Sequence, residues 1–430
     1  MNCVVLVRRL EYAMNLRIIL SGVLLGVFAA SLAARAQDSP PAPLTLEQVI
    51  EIARAKNPAL LSTEQHVMAT KAAQITAGLR QNPNFTLSGA NTTLPASNPS
   101  SPYTYVGNIS RLFERGQKRR WRLAVADATT KVTQSQFNDQ QRQTILAVKE
   151  AFTNMLAAKD ALLVAQDNLN SYRKTLDLSK VRLDTGQISK TDYERIDLQL
   201  AEFESDSDSA KLELTQASDS LQLLMGIEKP ATNFDISGRL QPVTITAALP
   251  QLEQDALADR PDYLAARQSV SLADANVKLA DADATVDPTL GGEYERLGVY
   301  NSAGFQISIP LRVFDRNQGE RERTRYEVQS ARLAETAARN QVLSDVDQAW
   351  AAYQSALALA TRYNNHYVAE SERVRANLEF SYRHGGASLL DYLNALRDYR
   401  QIHLDALAAD QQVWLSIHQL SFAAATEVVP

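Results

Sequence analysis

The chain has 430 residues, 45% of them hydrophobic and 22% charged, with a formal net charge of −5. That balance excludes a disordered chain and a polyanion binder, so nucleic acid is not an expected partner. The single cysteine, Cys3, leaves no disulfide framework and no thiolate metal site.

Residues 1–36 read as an export signal. Arg8, Arg9 and Arg17 precede an apolar run from Ile18 to Ala34, and Ala34-Arg35-Ala36 supplies the small-residue cleavage site. Met14 is an alternative start, and an uncleaved N-terminal anchor is the competing reading. Cys3 lies ahead of the apolar run, so no lipid anchor is expected there. The polar, Pro-rich stretch Gln37 to Pro43 reads as an unstructured lead-in. No later stretch reaches 18 consecutive apolar residues, so the exported chain is expected to be soluble or a β-barrel protein.

The remainder reads as two tandem repeats, 37–240 and 241–430. Asn57-Pro58 opens a helix that runs to Gln81, and Pro83 ends it. Strands follow from Asn84 to Leu94 and from Tyr103 to Phe113, joined by the turn-rich stretch Pro95 to Pro102. From Gly116 to Thr185 no Pro or internal Gly interrupts the chain, which predicts one helix of about 70 residues, roughly 105 Å long. Val148, Met155, Leu162, Leu169, Leu176 and Leu183 recur every seven positions, a coiled-coil seam. Gly186 breaks it, and a return helix carries Tyr193, Ile196, Leu200, Phe203, Leu214, Leu221 and Leu224 before Gly226. Phe234 to Gly238 reads as a short strand beside the rods.

The same plan then recurs. Arg260-Pro261 opens a helix to Asp287, ended by Pro288. Strands are expected from Thr289 to Leu297 and from Ala303 to Phe314 around a turn at Gly298 to Ser302. Phe305, Ile307, Ile309 and Leu311 alternate with Gln306 and Ser308, so one face is apolar. A second long seam runs through Val346, Trp350, Tyr353, Leu357, Ala360, Tyr367, Val374 and Leu378. Gly385 breaks it, and Leu389, Leu393, Leu396, Leu407, Trp414 and Ile417 form the return.

Strand segments near 84–113 and 289–314 match the length of barrel-spanning strands, although a small soluble hairpin packed on helices has the same pattern. Four strands cannot close a transmembrane barrel, and open edges are not tolerated in lipid. If the hairpins cross a membrane, several chains share one barrel, with the helices projecting as a tube. The fold class is therefore mixed α and β: a long coiled-coil α-helical barrel plus a β-barrel shared between chains.

On these residues the chain resembles the TolC-type outer-membrane efflux proteins. The resemblance is carried by Leu46-Glu47-Gln48-Val49-Ile50 before Asn57-Pro58, by Phe314-Asp315-Arg316-Asn317-Gln318-Gly319, and by the paired Gly-x-x-Ser-x-x-Asp turns at Gly186 and Gly385. It implies a homotrimer with a twelve-strand barrel in outer-membrane lipid and a helical tube in the periplasm. It also implies partners, a periplasmic adaptor (membrane fusion protein) and an inner-membrane RND-type or ABC transporter. Phe113-Glu114-Arg115-Gly116-Gln117-Lys118-Arg119 is similar to a stretch of the CzcC-like heavy-metal branch, with Gln117 in place of its second glycine. Multidrug efflux and type I protein secretion are the competing cargo readings. A periplasmic coiled-coil scaffold is the rival of another class.

The resemblance places a periplasmic gate at Asp192, Tyr382, Asp391 and Asn394, where relatives carry acidic and tyrosine links. Ala387 and Asn394 depart from the drug-efflux pattern, so a differently built lock is expected. A plainer reading makes Asp192 and Asp391 helix N-terminal charges. Gly186, Ser189, Gly385 and Ser388 are the expected adaptor-contact tips, and tight reversal with serine capping explains them equally. The five histidines lack metal-ligand spacing, with His384 near the expected mouth the one exception. The basic run Arg115 to Arg122 reads either as a headgroup contact or as a solvated helix start. No nucleophile–base pair or phosphate loop is present, so neither catalysis nor a cofactor is expected.

Overall fold

The computed structural model describes residues 43–91 and 103–429. The expected signal segment and the Pro95 to Pro102 turn lie outside the described residues. Two helices, α1 (Leu46–Lys56) and α2 (Pro58–Gly78), lead into strands β1 (Asn84–Asn91) and β2 (Tyr103–Leu112). The rod α3 (Lys118–Asp184) and its return α4 (Lys190–Leu224) follow. The second half repeats this order with α5 (Leu249–Asp259), α6 (Pro261–Asp283), β3 (Thr289–Leu297) and β4 (Tyr300–Ser308). Its rod is α7 (Gln318–Arg362), a π turn (Tyr363–Tyr367) and α8 (Val368–Arg383), returning as α9 (Leu389–Ala424).

The strands form one antiparallel sheet in the order β1-β2-β3-β4. Register sets its faces. Phe85 pairs with Ile109, Ile109 with Gly292, and Gly292 with Phe305. With Leu87, Tyr105, Tyr294 and Ile307 these residues make an apolar face. Thr86, Asn108, Glu293, Glu295, Gln306 and Ser308 share the opposite, polar one, as the pleat requires. Both β1 and β4 are open edges.

β4 departs from the expected Ala303 to Phe314. It starts at Tyr300, because Leu297 and Tyr300 pair across the two-residue turn Gly298-Val299. It stops at Ser308, because Pro310 has no N–H to continue the ladder. The apolar alternation through Leu311 runs on without strand structure. The expected strand at Phe234 to Gly238 is a single parallel bridge, Leu44 to Ile236.

Three apolar clusters hold the rods. One joins α1, α3 and α4 through Val49, Val148, Phe152, Met155 and Leu221. A second joins α5, α7 and α9 through Leu252, Val346, Tyr353, Val413 and Leu420. The third lies lower, where Leu169 and Tyr172 of α3 meet Ile196 and Phe203 of α4, with Leu389, Leu393 and Leu396 of α9 packed against them.

The residue before each helix-starting proline has a second task. Asn57 caps α2 and donates from Nδ2 to Leu224 O at 2.8 Å. Arg260, buried at 3% exposure, donates to Ala423 O at 3.4 Å and pairs with Asp262 and Asp345. Each clasp ties a short helix to the end of its return helix, where carbonyls lack intrahelical partners. Gly226 sits beside the first clasp at φ +75°, and a Cβ there would meet Lys56 O at 2.3 Å. Ala425 holds the matching left-handed position at φ +54°.

The basic run is a staple. Lys118 is buried against Asp287 at 2.5 Å and donates to Thr285 O, while Arg122 pairs with Glu114. Asp281 pairs with Arg321. These contacts fix the joint between sheet and rods.

Candidate functional site

The two rods reverse side by side, through the same backbone device. In the first reversal Gly186 donates to Leu183 O at 2.9 Å and Gln187 to Arg182 O at 2.8 Å. In the second Gly385 donates to Tyr382 O at 3.2 Å and Gly386 to Ser381 O at 2.8 Å. These are Schellman ends, with Gly186 at φ +73° and Gly385 at φ +78°. Nothing lies within 4 Å of a Cβ at either glycine, so the backbone turn and not close packing requires them.

The return helices are capped from their own turns. Ser189 Oγ accepts from Asp192 N at 3.1 Å and donates to its carboxylate at 2.8 Å. Ser388 forms the fuller box, with Asp391 N donating to its Oγ at 3.2 Å and its own N–H donating to the Asp391 carboxylate at 3.3 Å. Both carboxylates thus turn back on their own serines, next to the positive ends of the helices. Among the described residues no ion pair joins Asp192 or Asp391 to the opposite hairpin. Asn394 is exposed on α9.

Tyr382 is where the hairpins meet. Its ring stacks on Tyr392 at 5.2 Å, and Tyr392 Oη lies 3.2 Å from Thr175 Oγ1 of α3. Arg182, in the last turn of α3, lies over the Tyr382 ring at 5.0 Å and donates to Arg383 O at 2.6 Å. Arg182, Tyr392 and Thr175 were not singled out from the sequence. Arg182 binds main-chain carbonyls, which leave no residue signature. Ser179 and Glu379 flank a cleft of about 260 Å³ between the two rods.

Higher up, Arg400 of α9 reaches across to Glu202 at 2.9 Å and to Asp206 on α4. That hydrogen bond holds the Glu202 carboxyl below the usual carboxylate range. His418, buried against α3, shares a 3.0 Å hydrogen bond with Thr153. Burial, helped by Lys149, lowers its pKa to about 4. Among the described residues no group of three His, Cys, Asp or Glu is placed to hold a metal. No described helix is long and apolar enough to cross a membrane.

A family model for outer membrane efflux proteins matches twice, over residues 49–227 and 252–426. The chain belongs to this outer membrane efflux family. It is an outer-membrane protein of the TolC type, a family of ducts and not of enzymes. It is 25% identical over 279 residues to the cobalt-zinc-cadmium resistance protein CzcC of Cupriavidus metallidurans, covering 64% of this chain and 65% of that one. It is 26% identical over 297 residues to the cation efflux system protein CusC of Escherichia coli K12, covering 63% and 62%. The match thus spans less than two thirds of either relative. Among solved structures, CusC superposes with a TM-score of 0.75 at 19% identity, covering 88% of this chain and 91% of that one. The open-state MtrE channel of Neisseria gonorrhoeae superposes with a TM-score of 0.74 at 19% identity, covering 89% of each. These likenesses establish the fold.

Proposed function

We propose that this efflux protein is the exit duct of a tripartite efflux system, passing cargo received from a periplasmic adaptor and an inner-membrane pump. The observation that carries the reading is the sheet. It has one apolar and one polar face and two open edges, and an open edge in hydrocarbon leaves backbone groups without partners. Three copies would pair β4 of one with β1 of the next, closing twelve strands with the apolar face toward lipid. The rods would then form one tube, each chain contributing two tandem repeats.

Heavy-metal cations are the cargo we favour, because the name of CzcC carries cobalt, zinc and cadmium, that of CusC carries cation efflux, and because of the Phe113 to Arg119 stretch. Cargo passes without chemistry or cofactor. The gate is the ring of reversals, with Asp192, Tyr382, Asp391 and Asn394 at the mouth. Gly186, Ser189, Gly385 and Ser388 form the tips that meet the adaptor.

Single-channel recording of the detergent-extracted protein in a planar bilayer tests the duct. Discrete low-conductance events that grow in Asp192→Ala and Asp391→Ala are expected. A non-conducting, elongated soluble particle would instead support the scaffold. Cells lacking the protein should lose tolerance to zinc or cobalt. Unchanged metal tolerance with lost drug tolerance would reassign the cargo.

A further inference from the structure

The staple uses only part of the basic run at the first joint. Lys118 and Arg122 are bound to Asp287 and Glu114. Beside them the end of α2, the foot of β2 and the start of α3 enclose a cleft of about 350 Å³, lined by Arg80, Gln81, Arg111, Phe113, Gln117 and Arg119. Among the described residues no ion pair reaches Arg80, Arg111 or Arg119. Arg119 is anchored through Nε, which donates to Gly78 O at 2.5 Å and leaves both terminal nitrogens free. Arg111 has only the Phe113 ring, whose centroid lies 5.6 Å from its guanidinium carbon. Glu114 also lines the cleft, but Arg122 holds both of its oxygens. Three guanidiniums thus share one space with no carboxylate left to neutralise them.

The sheet fixes the level of this cleft. Arg111 pairs with Leu290, and Leu290 with Ile307, so Arg111 stands on the apolar face, one pleat beyond Ile109. Toward the other end of that face stands Arg296, paired with Tyr105, and its Nε donates to Gly298 O at 3.1 Å. From the level of Tyr105 to Arg111 is about 20 Å along β2. A charge on a lipid-facing strand is costly at the midplane and costs little near the interface. The two arginines therefore bracket the apolar band, and the cleft lies at its rod-side border. Aromatic side chains stay open at the same joint, with Phe113 at 44% and Phe314 at 90% exposure, as suits a membrane interface.

The second joint carries its cations differently. Arg312 donates to the carbonyls of Asp283 and Thr285. Arg321 pairs with Asp281, Arg323 with Glu320 and Glu327, and Arg325 with Glu322. The first turn of α7 includes Glu320, whereas the first turn of α3 has no acid. Only the first joint therefore gathers unneutralised guanidiniums around a cleft.

We propose that the cleft between α2, β2 and α3 binds the headgroup phosphate of an anionic phospholipid, with Arg80, Arg111 and Arg119 as its ligands. The proposal rests on the duct reading above, which puts the apolar face of the sheet in hydrocarbon. Guanidiniums suit a phosphodiester because their paired N–H groups meet two of its oxygens at once. The acyl chains would run up the apolar face past Ile109 and Leu290. A zwitterionic headgroup brings a cation back toward three arginines, so net negative charge sets the preference. Each chain holds one such cleft.

Native mass spectrometry of the full-length protein, extracted in a non-ionic detergent, tests this by titration with dioctanoyl-phosphatidylglycerol and, separately, dioctanoyl-phosphatidylcholine. Phosphatidylglycerol should bind more tightly, up to one per chain. Arg80→Gln with Arg111→Gln should weaken it at least about tenfold. Neither side chain has a hydrogen-bond partner among the described residues, so an unchanged melting temperature is expected. Arg115→Gln with Arg316→Gln removes the same charge from exposed positions outside the cleft and should change binding less than about twofold.

Equal binding of the two lipids would overturn the proposal, leaving contact with the acyl chains alone. Equal losses in the two double variants would reduce the cleft to diffuse surface charge. Complete displacement of the lipid by millimolar inorganic phosphate would make it a soluble-anion site. Oligomers that come apart in the Arg80/Arg111 variant, with no preference for phosphatidylglycerol, would give the cleft to a neighbouring copy. Planar-bilayer recording separates the cleft from the duct. Channels without a lipid preference remove the cleft and leave the duct. A particle that stays in solution without detergent and forms no channels removes the duct, and the membrane assignment of the cleft with it.

Discussion

The two helical hairpins have the same reversal chemistry and opposite interiors. In the first, Tyr172 stacks on Phe203 at 4.4 Å and its hydroxyl donates to Ile196 O at 2.8 Å, so that hydroxyl is satisfied within an apolar seam, while Asn168 Nδ2 beside it is buried without a partner. In the second, the equivalent seam holds Ser371, Arg375, Tyr382 and His403, with several polar atoms unpaired. A shared plan thus fixes where the chain turns, while the seam residues decide how firmly each pair is held. Apolar and polar packing are assigned to different halves of one chain.

Breaking the firm hairpin should have the largest effect. Phe203→Ala removes a buried ring from the lower apolar cluster and should cost about 3–5 kcal/mol. A lower melting temperature, with no such drop in Leu212→Ala on the exposed face, would check it. Next comes pH. The unfolded His418 titrates near the ordinary 6.5 and the folded one at about 4, so only the unfolded chain gains this proton between those values. Stability from this site is full above about pH 6.5 and falls as pH drops toward 4, by up to about 3 kcal/mol. Melting temperature followed from pH 7 to 4 should show this slope, and His418→Gln should flatten it.

Smaller changes sharpen the contrast. Ser388→Ala removes a capping box and should cost about 1 kcal/mol, read as faster hydrogen exchange confined to the first turns of α9. Arg375→Met replaces a half-buried guanidinium, unpaired at Nε and lying over the Tyr399 ring at 4.2 Å, with an apolar chain of similar reach. It should be neutral or stabilising by about 1 kcal/mol. A melting temperature lowered by more than Phe203→Ala lowers it would contradict the assignment of the second seam as the weaker one.

The large features were legible because they depend on residue type. Absence of Pro and Gly between Gly116 and Gly186 predicts a rod, and Lys118–Asp184 is helical throughout. Gly186 and Gly385 mark the reversals because only glycine takes that backbone without strain. The misses have a common cause. Pro310 was hidden inside an unbroken apolar alternation. The π turn carries no residue code, and its trace in the sequence was indirect, with Asn364 and Ser371 standing at seam positions. α1 and α5 are short amphipathic helices, announced by the Thr45–Gln48 capping box and by Pro250 in the first turn of α5. At the reversals, the Gly-x-x-Ser-x-x-Asp spacing marked the two turns, and the family resemblance pointed to Tyr382. Arg182 escaped because its partners are peptide carbonyls.

The clasps at Asn57 and Arg260 bear on the order in which the chain can assemble. Asn57 finds Leu224 O entirely within the first half, so that half can shut once residue 226 has emerged. The second clasp is not self-sufficient. Arg142 of α3 donates to Phe422 O at 2.5 Å, with its guanidinium 3.8 Å from the Phe422 ring centroid, beside the Arg260 contact to Ala423. The end of α9 is thus received by a residue made some 280 positions earlier. A chain delivered from its N-terminus would complete one half as a template and lay the other upon it, an order that a circular permutation starting at residue 241 would reverse.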